Sequence, residues 1–341
     1  MTSLAPIDES PFAPPWWLRS GHAQTLYRKF APLAQVNHRR QRLELADGDF
    51  IDLDWSADID PAEAASDQIV LLLHGLCGCS RSSYVLALQA LLNQLGIPSV
   101  AMNFRGCSGT VNRLARTYHS GATSDLEEVF GFLQSQFTEH RFAMVGYSLG
   151  ANVLLKWLGE QDRPGKLVAA AAVSTPFQLA ACSQAMLSGL SRMYGSYFVR
   201  QLGADLQRKQ QFLRQSGSSA ELQRLKALDL ETPFRNIWDF DDRVTAPLNG
   251  FADANDYYKR CSSASFLPAI KARTLLLQSA DDPLIPATVI PDPAALPANI
   301  TMRTLNAGGH VGFISNGQPG WLEARVAQFI TGTTADLAEG R

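Results

Sequence analysis

The sequence predicts an α/β fold, with a mostly parallel central sheet flanked by helices and a helical cap inserted late in the chain. From residue 68 onward, short apolar runs typical of buried strands alternate with segments whose apolar residues recur at helical spacing. The alternation stops near residue 176, and strand-like runs return only near residue 272. We therefore expect one domain over residues 1–341, with its core at about 37–175 and 236–335 and the cap at about 176–235.

The composition excludes several classes of protein. Hydrophobic residues make up 46% of the 341 and the net charge is −2, which allows a large core and indicates no nucleic-acid partner. The N-terminus lacks the basic and apolar regions of a signal peptide, and no apolar run approaches the roughly 18 residues of a membrane span. The five cysteines show no spacing of a disulfide framework, which favours a cytoplasmic protein: Cys77, Cys79, Cys107, Cys182 and Cys261.

The elements follow in a regular order after an N-terminal arm. Residues 1–36, rich in proline and aromatic residues, are expected to pack on the domain surface; weak contact of Trp16 and Trp17 with a membrane interface is the alternative. Alternation on both sides of Asp47-Gly48 predicts a β-hairpin. Further strands are predicted at 68–73, 98–103, 142–145, 167–174, 272–278 and 300–305. Helices are predicted at 84–95, 126–137, 151–158 and 321–330.

The composition of the cap leaves its role open. Its apolar residues could line an acyl-binding pocket or simply pack the cap onto the sheet: Leu187, Leu190, Met193, Tyr194, Tyr197 and Phe198. Its basic residues could favour an anionic head group or acyl-CoA, although a solvated helix face is the preferred interpretation: Arg200, Arg208, Lys209, Arg214, Arg224 and Lys226.

Ser148 is the candidate nucleophile. It lies in Gly146-Tyr147-Ser148-Leu149-Gly150, between an apolar strand and an apolar helix. A serine at such a sharp turn exposes its hydroxyl, and the flanking glycines prevent a collision between helix and strand. The free N–H groups of the first helical turn point toward whatever binds at the serine.

A serine nucleophile needs a base to take its proton and an acid to orient that base. On α/β sheets the acid and then the base follow the serine along the chain. His310 is the only histidine beyond Ser148, and it lies in a glycine-rich loop after the last predicted strand. Asp281 and Asp282 end the preceding strand, and either could be the acid. A rival acidic group has no strand before it and is expected to cap or bridge beneath the cap: Asp239, Asp241 and Asp242.

Two backbone N–H groups are candidates for an oxyanion hole. One belongs to Leu149, after the nucleophile, and the other to Leu76, in the loop after the first buried strand. We expect His74 to brace that loop. Cys77 and Cys79 have the wrong spacing for a zinc site, and no phosphate-binding glycine motif follows a strand. The sequence therefore predicts no metal and no cofactor.

Several segments resemble the YheT-like branch of the α/β-hydrolase superfamily, also called the AB-hydrolase-4 group. The resemblance spans about residues 20–315, and the Gly-His-x-Gln-Thr and Asn-Phe-Arg-Gly segments are its most specific parts. The matching segments are Gly21-His22-Ala23-Gln24-Thr25, His74-Gly75-Leu76-Cys77-Gly78, Asn103-Phe104-Arg105-Gly106, Tyr118-His119-Ser120-Gly121, Gly146-Tyr147-Ser148-Leu149-Gly150, Phe240-Asp241-Asp242, Asp256-Tyr257-Tyr258 and Gly308-Gly309-His310-Val311-Gly312-Phe313.

The resemblance implies an α/β-hydrolase fold and a function. The branch includes bacterial proteins assigned as esterases and eukaryotic enzymes acting on medium-chain acyl esters and phospholipids. It implies a serine hydrolase that cleaves short- to medium-chain acyl esters through an acyl-enzyme on Ser148, with His310 as the base. The superfamily often has a proline four residues after the catalytic aspartate, which selects Asp282 because Pro286 follows it. An acyltransferase using the same acyl-serine and a non-catalytic binding protein are the alternatives. The expected partner is a small-molecule acyl ester, and the oligomeric state stays open.

Overall fold

Eight strands form one sheet in the computed structural model, which describes residues 11–160, 165–316 and 320–332. The spatial order is β1-β2-β4-β3-β5-β6-β7-β8. The first two pairings, β1 with β2 and β2 with β4, are antiparallel, and every other pairing is parallel. This confirms the predicted, mostly parallel sheet. The strands are β1 (His38–Glu44), β2 (Phe50–Ser56), β3 (Gln68–Leu73), β4 (Ser99–Asn103), β5 (Arg141–Tyr147), β6 (Leu167–Val173), β7 (Thr274–Ser279) and β8 (Ile300–Leu305).

The helices outnumber those predicted because the insertion between β6 and β7 contains several. In the described part of the chain, each helix is too short or too polar to span a bilayer. The helices are α1 (Gly21–Phe30), α2 (Ser83–Gln94), α3 (Thr123–Gln136), α4 (Leu149–Glu160), α5 (Leu179–Ala185), α6 (Arg192–Gln215), α7 (Ser219–Lys226), α8 (Ile237–Phe240), α9 (Ala246–Leu248), α10 (Ala254–Cys261) and α11 (Trp321–Thr331). A π-helical turn (Asp241–Thr245) joins α8 to α9, and a 3₁₀ segment (Ser263–Ala269) precedes β7.

The predicted hairpin is present in β1 and β2. Its turn closes with the Gly48 N–H donating to the Leu45 carbonyl at 3.0 Å and the Leu45 N–H donating to the Asp49 carbonyl at 2.9 Å. Gly48 has a φ of 84°, a conformation that glycine adopts without a steric cost. The Asp47-Gly48 pair therefore sets the register of the first two strands.

The core has two layers because the central strands are buried on both faces. Side chains along β3 alternate between the layers, with Leu71 and Leu73 in one and Val70 and Leu72 in the other. The first layer also contains apolar residues of α3 and α4, and the second contains those of α2 and α11. Burial on both faces explains why β3 is a continuous apolar run rather than an alternating one.

The insertion between β6 and β7 is helical, and it continues beyond residue 235. The helices α5, α6 and α7 lie inside the predicted cap, whereas α8, α9 and α10 follow its predicted end. The 3₁₀ segment and α10 pack against α4 of the core. A division between cap and core near residue 235 stays a prediction.

The described part of the N-terminal arm packs on the domain through one face of α1. Its helix α1 buries Gln24 completely and leaves Arg28 only 3% exposed. Gln24 reaches the loop before α11, and Arg28 forms a buried ion pair with Glu323 of that helix. One face of α1 is therefore fixed to the domain, and its buried polar side chains connect α1 to the loop before α11 and to α11 itself.

Candidate active site

Ser148 lies in a tight turn between β5 and α4. Its φ is 53°, in the left-handed region, and its N–H donates to the Val173 carbonyl at 2.9 Å. A Cβ on Gly146 would lie 2.6 Å from the Gly150 carbonyl oxygen, and one on Gly150 would lie 2.5 Å from the His74 carbonyl oxygen. Only glycine therefore fits on either side, and the turn holds the Ser148 hydroxyl at the carboxyl edge of the sheet.

The structure brings Ser148, His310 and Asp282 into one hydrogen-bonded line. Ser148 Oγ lies 2.9 Å from His310 Nε2, and His310 Nδ1 lies 2.8 Å from Asp282 Oδ2. The other carboxylate oxygen of Asp282 accepts the N–H groups of Leu284 at 2.8 Å and Ile285 at 3.2 Å. Because both oxygens are engaged and the side chain has no solvent exposure, the carboxylate is fixed as an acceptor for Nδ1–H. Nε2 is then left with a lone pair facing the Ser148 hydroxyl.

Asp281 has a different position from its neighbour. Its Oδ1 accepts the Gly309 N–H at 2.9 Å and is also bonded by the Ser279 hydroxyl. It holds the backbone beside His310 rather than the imidazole. The two adjacent aspartates thus have different contacts: Asp282 contacts the imidazole ring, and Asp281 supports the loop that carries His310.

The rival acidic group bonds within the insertion and does not reach His310. Asp239 pairs with Arg235 at 3.2 Å and with Arg243 at 3.3 Å, and Asp242 accepts the Ala254 N–H. Asp241 is buried. Burial raises its pKa to about 6, against hydrogen bonds from Thr245 and Tyr258 that favour the ionised form.

The loop that carries His310 is held by α1, a contact that the sequence did not reveal. Thr25 Oγ1 accepts the His310 N–H at 2.8 Å and donates to the Gly21 carbonyl at 2.7 Å. Gln24 accepts the Ile314 N–H at 2.7 Å and donates to the Ile314 carbonyl at 3.1 Å. The only sign of this contact in the sequence was the Gly-His-x-Gln-Thr segment. That segment supported the family resemblance, but no structural role was predicted for it.

The loop after β3 is rigidly braced. The Gly75 N–H donates to the Tyr84 hydroxyl at 2.9 Å, and the Cys77 N–H donates to the Tyr118 hydroxyl at 2.8 Å. His74 lies 2.8 Å from the Gly75 carbonyl through Nδ1 and accepts the Phe104 N–H through Nε2 at 3.2 Å. Complete burial lowers the pKa of His74 to about 4, so the ring is neutral at pH 7. His74 therefore braces the loop, as expected.

Leu76 and Leu149, the two residues expected to form an oxyanion hole, both border the site. Both line the same cavity as Ser148 and His310. Across the described ranges, neither backbone N–H donates to another group of the chain. Two donors beside the candidate nucleophile are therefore available to a developing negative charge.

Two cavities meet at Ser148. The inner chamber lies beneath the insertion and is mostly apolar; its apolar walls include Leu179, Cys182, Met186, Phe198, Leu202 and Leu206. The outer cleft lies between α1 and the first turns of α6, and Phe198 lines both spaces. Of the six apolar residues singled out in the sequence, Phe198 alone lines the inner chamber, and Leu187, Leu190 and Met193 are exposed.

Lys209 does not belong to a solvated helix face. It is 2% exposed, and its Nζ donates to the carbonyls of Asn112 at 2.6 Å and Leu114 at 2.8 Å. Burial lowers its pKa to about 7. The other basic residues in that set are exposed: Arg200, Arg208, Arg214, Arg224 and Lys226. Arg208 also borders the inner chamber and Arg200 the outer cleft.

Cys77, Cys79 and Cys107, the cysteines near the site, are free, half-buried thiols. Burial raises the pKa of Cys77 to about 12 and that of Cys107 well above its ordinary value. Within the described ranges, no group of three or more His, Cys, Asp or Glu side chains is placed to hold a metal ion.

Comparison with known proteins identifies the family. A family model described as alpha/beta hydrolase fold matches residues 68–317. The protein YheT of Escherichia coli (strain K12) is 39% identical over 315 residues, covering 91% of this chain and 90% of its own. Phospholipase ABHD3 of Homo sapiens is 30% identical over 316 residues, covering 91% and 75%. The Pyrococcus furiosus esterase Pf2001 shares the fold, with a TM-score of 0.56 at 16% identity over 87% of this chain and 93% of its own. The chain therefore belongs to the α/β-hydrolase family, in its YheT-like branch.

Proposed function

We propose that this α/β-hydrolase cleaves carboxylic esters through a covalent acyl-enzyme on Ser148. The observation that carries the proposal is the line from Ser148 Oγ through His310 to Asp282, with distances of 2.9 Å and 2.8 Å. Such a line lets a neutral imidazole take the hydroxyl proton while a carboxylate stabilises the resulting imidazolium. A relative named as a phospholipase supports an ester substrate.

The reaction follows from the placement of these groups. Ser148 Oγ attacks the ester carbonyl carbon while His310 Nε2 takes its proton, and Asp282 accepts the Nδ1–H throughout. The carbonyl oxygen becomes an oxyanion that accepts the Leu76 and Leu149 N–H groups. When the tetrahedral intermediate collapses, the alcohol leaves with the proton from Nε2. Water, activated by the same nitrogen, then releases the acid and restores Ser148.

The two cavities could hold the acyl group and the alcohol of an ester separately. The inner chamber suits an acyl group, because its walls are mostly apolar and it lies beneath the insertion. That the acyl group is short- to medium-chain rests on the family resemblance. The outer cleft is left for the alcohol, which can depart toward solvent between α1 and α6.

The proposal is tested by labelling with a fluorophosphonate, which reacts with activated serines. We expect the wild-type protein to be labelled and Ser148→Ala to take no label, with kcat for p-nitrophenyl esters lowered by about four orders of magnitude or more. Ser135→Ala removes an exposed hydroxyl on α3 and serves as the matched control, with full labelling expected. Folded wild-type protein that takes no label, or a Ser148→Ala variant that labels normally, would refute the proposal.

A further inference from the structure

The exposed apolar side chains are concentrated in two segments. Within the part of the chain that the structure describes, the exposed large hydrophobic side chains all belong to residues 16–33 or 187–193. Scattered exposed apolar residues are normal in a protein, but a concentration on one face marks an interaction site. The side chains are Trp16, Trp17, Leu26, Phe30, Leu33, Leu187, Leu190 and Met193.

These two segments meet across the outer cleft. The N-terminal arm contributes Leu26, Phe30 and Leu33 to its walls, and α6 contributes Met193. Specific contacts fix the two sides together. His22 Nδ1 lies 3.2 Å from the Tyr194 hydroxyl, and Lys29 Nζ lies 3.7 Å from the centre of the Tyr197 ring. Four of the eight exposed apolar side chains therefore line a cleft that reaches Ser148 and His310: Leu26, Phe30, Leu33 and Met193.

Lysines and arginines line the same cleft without any acidic side chain among them. Six lysines and arginines line it, with no aspartate or glutamate: Arg28, Lys29, Arg81, Arg192, Arg200 and Arg235. Arg28 and Arg235 are ion-paired, but the remaining four form no ion pair with any described residue. Since the whole chain has a net charge of −2, this excess of cations is local to the cleft.

We propose that this face, made of the two exposed apolar segments and the cationic cleft, docks onto an anionic lipid surface. The apolar side chains enter the boundary between head groups and acyl chains, and the cations contact the lipid phosphates. Charge complementarity selects this occupant, because an electroneutral partner would leave four unpaired cations without counter-charges. The cleft then opens directly onto the lipid, so that an ester can reach Ser148 without crossing water; this last step rests on the proposed function.

Docking is measured with Ser148→Ala protein, by co-sedimentation with vesicles of phosphatidylcholine alone or mixed with phosphatidylglycerol. We expect binding to the anionic vesicles, weakened by salt, and little binding to phosphatidylcholine. Adding Arg192→Gln and Arg200→Gln should lower the partition coefficient about tenfold or more. The matched control adds Arg39→Gln and Lys271→Gln, which remove two exposed cations outside the cleft and should leave binding nearly unchanged.

The apolar contribution is tested by Phe30→Ser with Met193→Ser, which should also weaken vesicle binding. The docking proposal is overturned if folded protein ignores anionic vesicles, or if the control pair loses as much binding as the cleft pair. A concentration-dependent dimer that the Phe30→Ser/Met193→Ser variant dissociates would instead assign this face to a second copy of the chain. Because binding is measured without hydrolysis, its failure is distinguishable from failure of the fluorophosphonate test.

Discussion

At the scale of single residues, the position of His310 depends on a hydroxyl from the other end of the chain. Thr25 Oγ1 is the acceptor for the His310 N–H, at 2.8 Å. Valine has nearly the same shape as threonine but offers no acceptor, so Thr25→Val frees the backbone that carries the imidazole. Small displacements of a base from its nucleophile cost up to about a hundredfold in rate.

We therefore predict that Thr25→Val lowers kcat for p-nitrophenyl esters about tenfold to a hundredfold, with KM little changed. Thr25→Ser keeps the hydroxyl and should restore most of the activity. The measurements are the steady-state kinetics of the three proteins and the pH dependence of their kcat. Thermal unfolding of each protein checks that all three are folded under the assay conditions. Equal kcat in wild type and Thr25→Val would show that α1 supports the loop without positioning the base.

At the scale of elements, α6 forms part of the wall of the inner chamber. Leu202 lies on this wall, half-buried, whereas the adjacent Gln201 is exposed and lies outside the chamber lining. A larger side chain at Leu202 should shorten the space for an acyl chain, and each methylene excluded from an apolar pocket is worth about tenfold or more in specificity.

We predict that Leu202→Trp lowers kcat/KM for a decanoyl ester about tenfold relative to an acetyl ester. Gln201→Trp adds the same indole to the same helix and should leave that ratio unchanged. The measurement is a series of p-nitrophenyl esters of increasing chain length. A uniform loss at every chain length in Leu202→Trp would place the acyl group elsewhere.

The helices and strands also show which parts of the fold could be predicted from the sequence. Strands such as β3 could be predicted because burial on both faces gives a continuous apolar run, a pattern set by local periodicity. The cap could not be read in the same way, since Leu190 and Met193 recur at helical spacing yet are 63% and 56% exposed. Periodicity tells which residues share a helix face, not what covers that face. Lys209 was misread for the same reason, because its acceptors belong to a segment almost a hundred residues earlier.

At the scale of the whole molecule, the residues of the site that follow strands of the sheet could be predicted from the sequence. Ser148 follows β5, Asp282 follows β7 and His310 follows β8. Carboxyl ends of parallel strands meet at one edge of a sheet, so chain order was enough to bring Ser148, His310 and the Asp281-Asp282 pair together. The choice of Asp282 within that pair came from the family resemblance. The part that chain order could not supply is α1, whose contacts to the His310 loop join residues 285 and 290 positions apart.

The same long-range packing makes a prediction about stability. Arg28 of α1 and Glu323 of α11 form an ion pair with side-chain exposures of 4% and 2%. In the described residues, Arg28 Nε and Nη1 and Glu323 Oε2 find no hydrogen-bond partner, so the pair is incompletely compensated for its burial. Removing one partner leaves the other as an isolated buried charge, whereas removing both leaves none.

We predict that Glu323→Leu and Arg28→Met each lower the free energy of unfolding by about 3–5 kcal/mol, because each leaves a buried charge without its partner. The double variant should be more stable than either single one, since two apolar side chains can fill the space without a desolvation cost. Urea unfolding of the four proteins gives the coupling free energy of the pair. If the double variant loses the sum of the two single losses, the pair is not coupled, and the attachment of α1 to the core must come instead from Gln24 and Thr25.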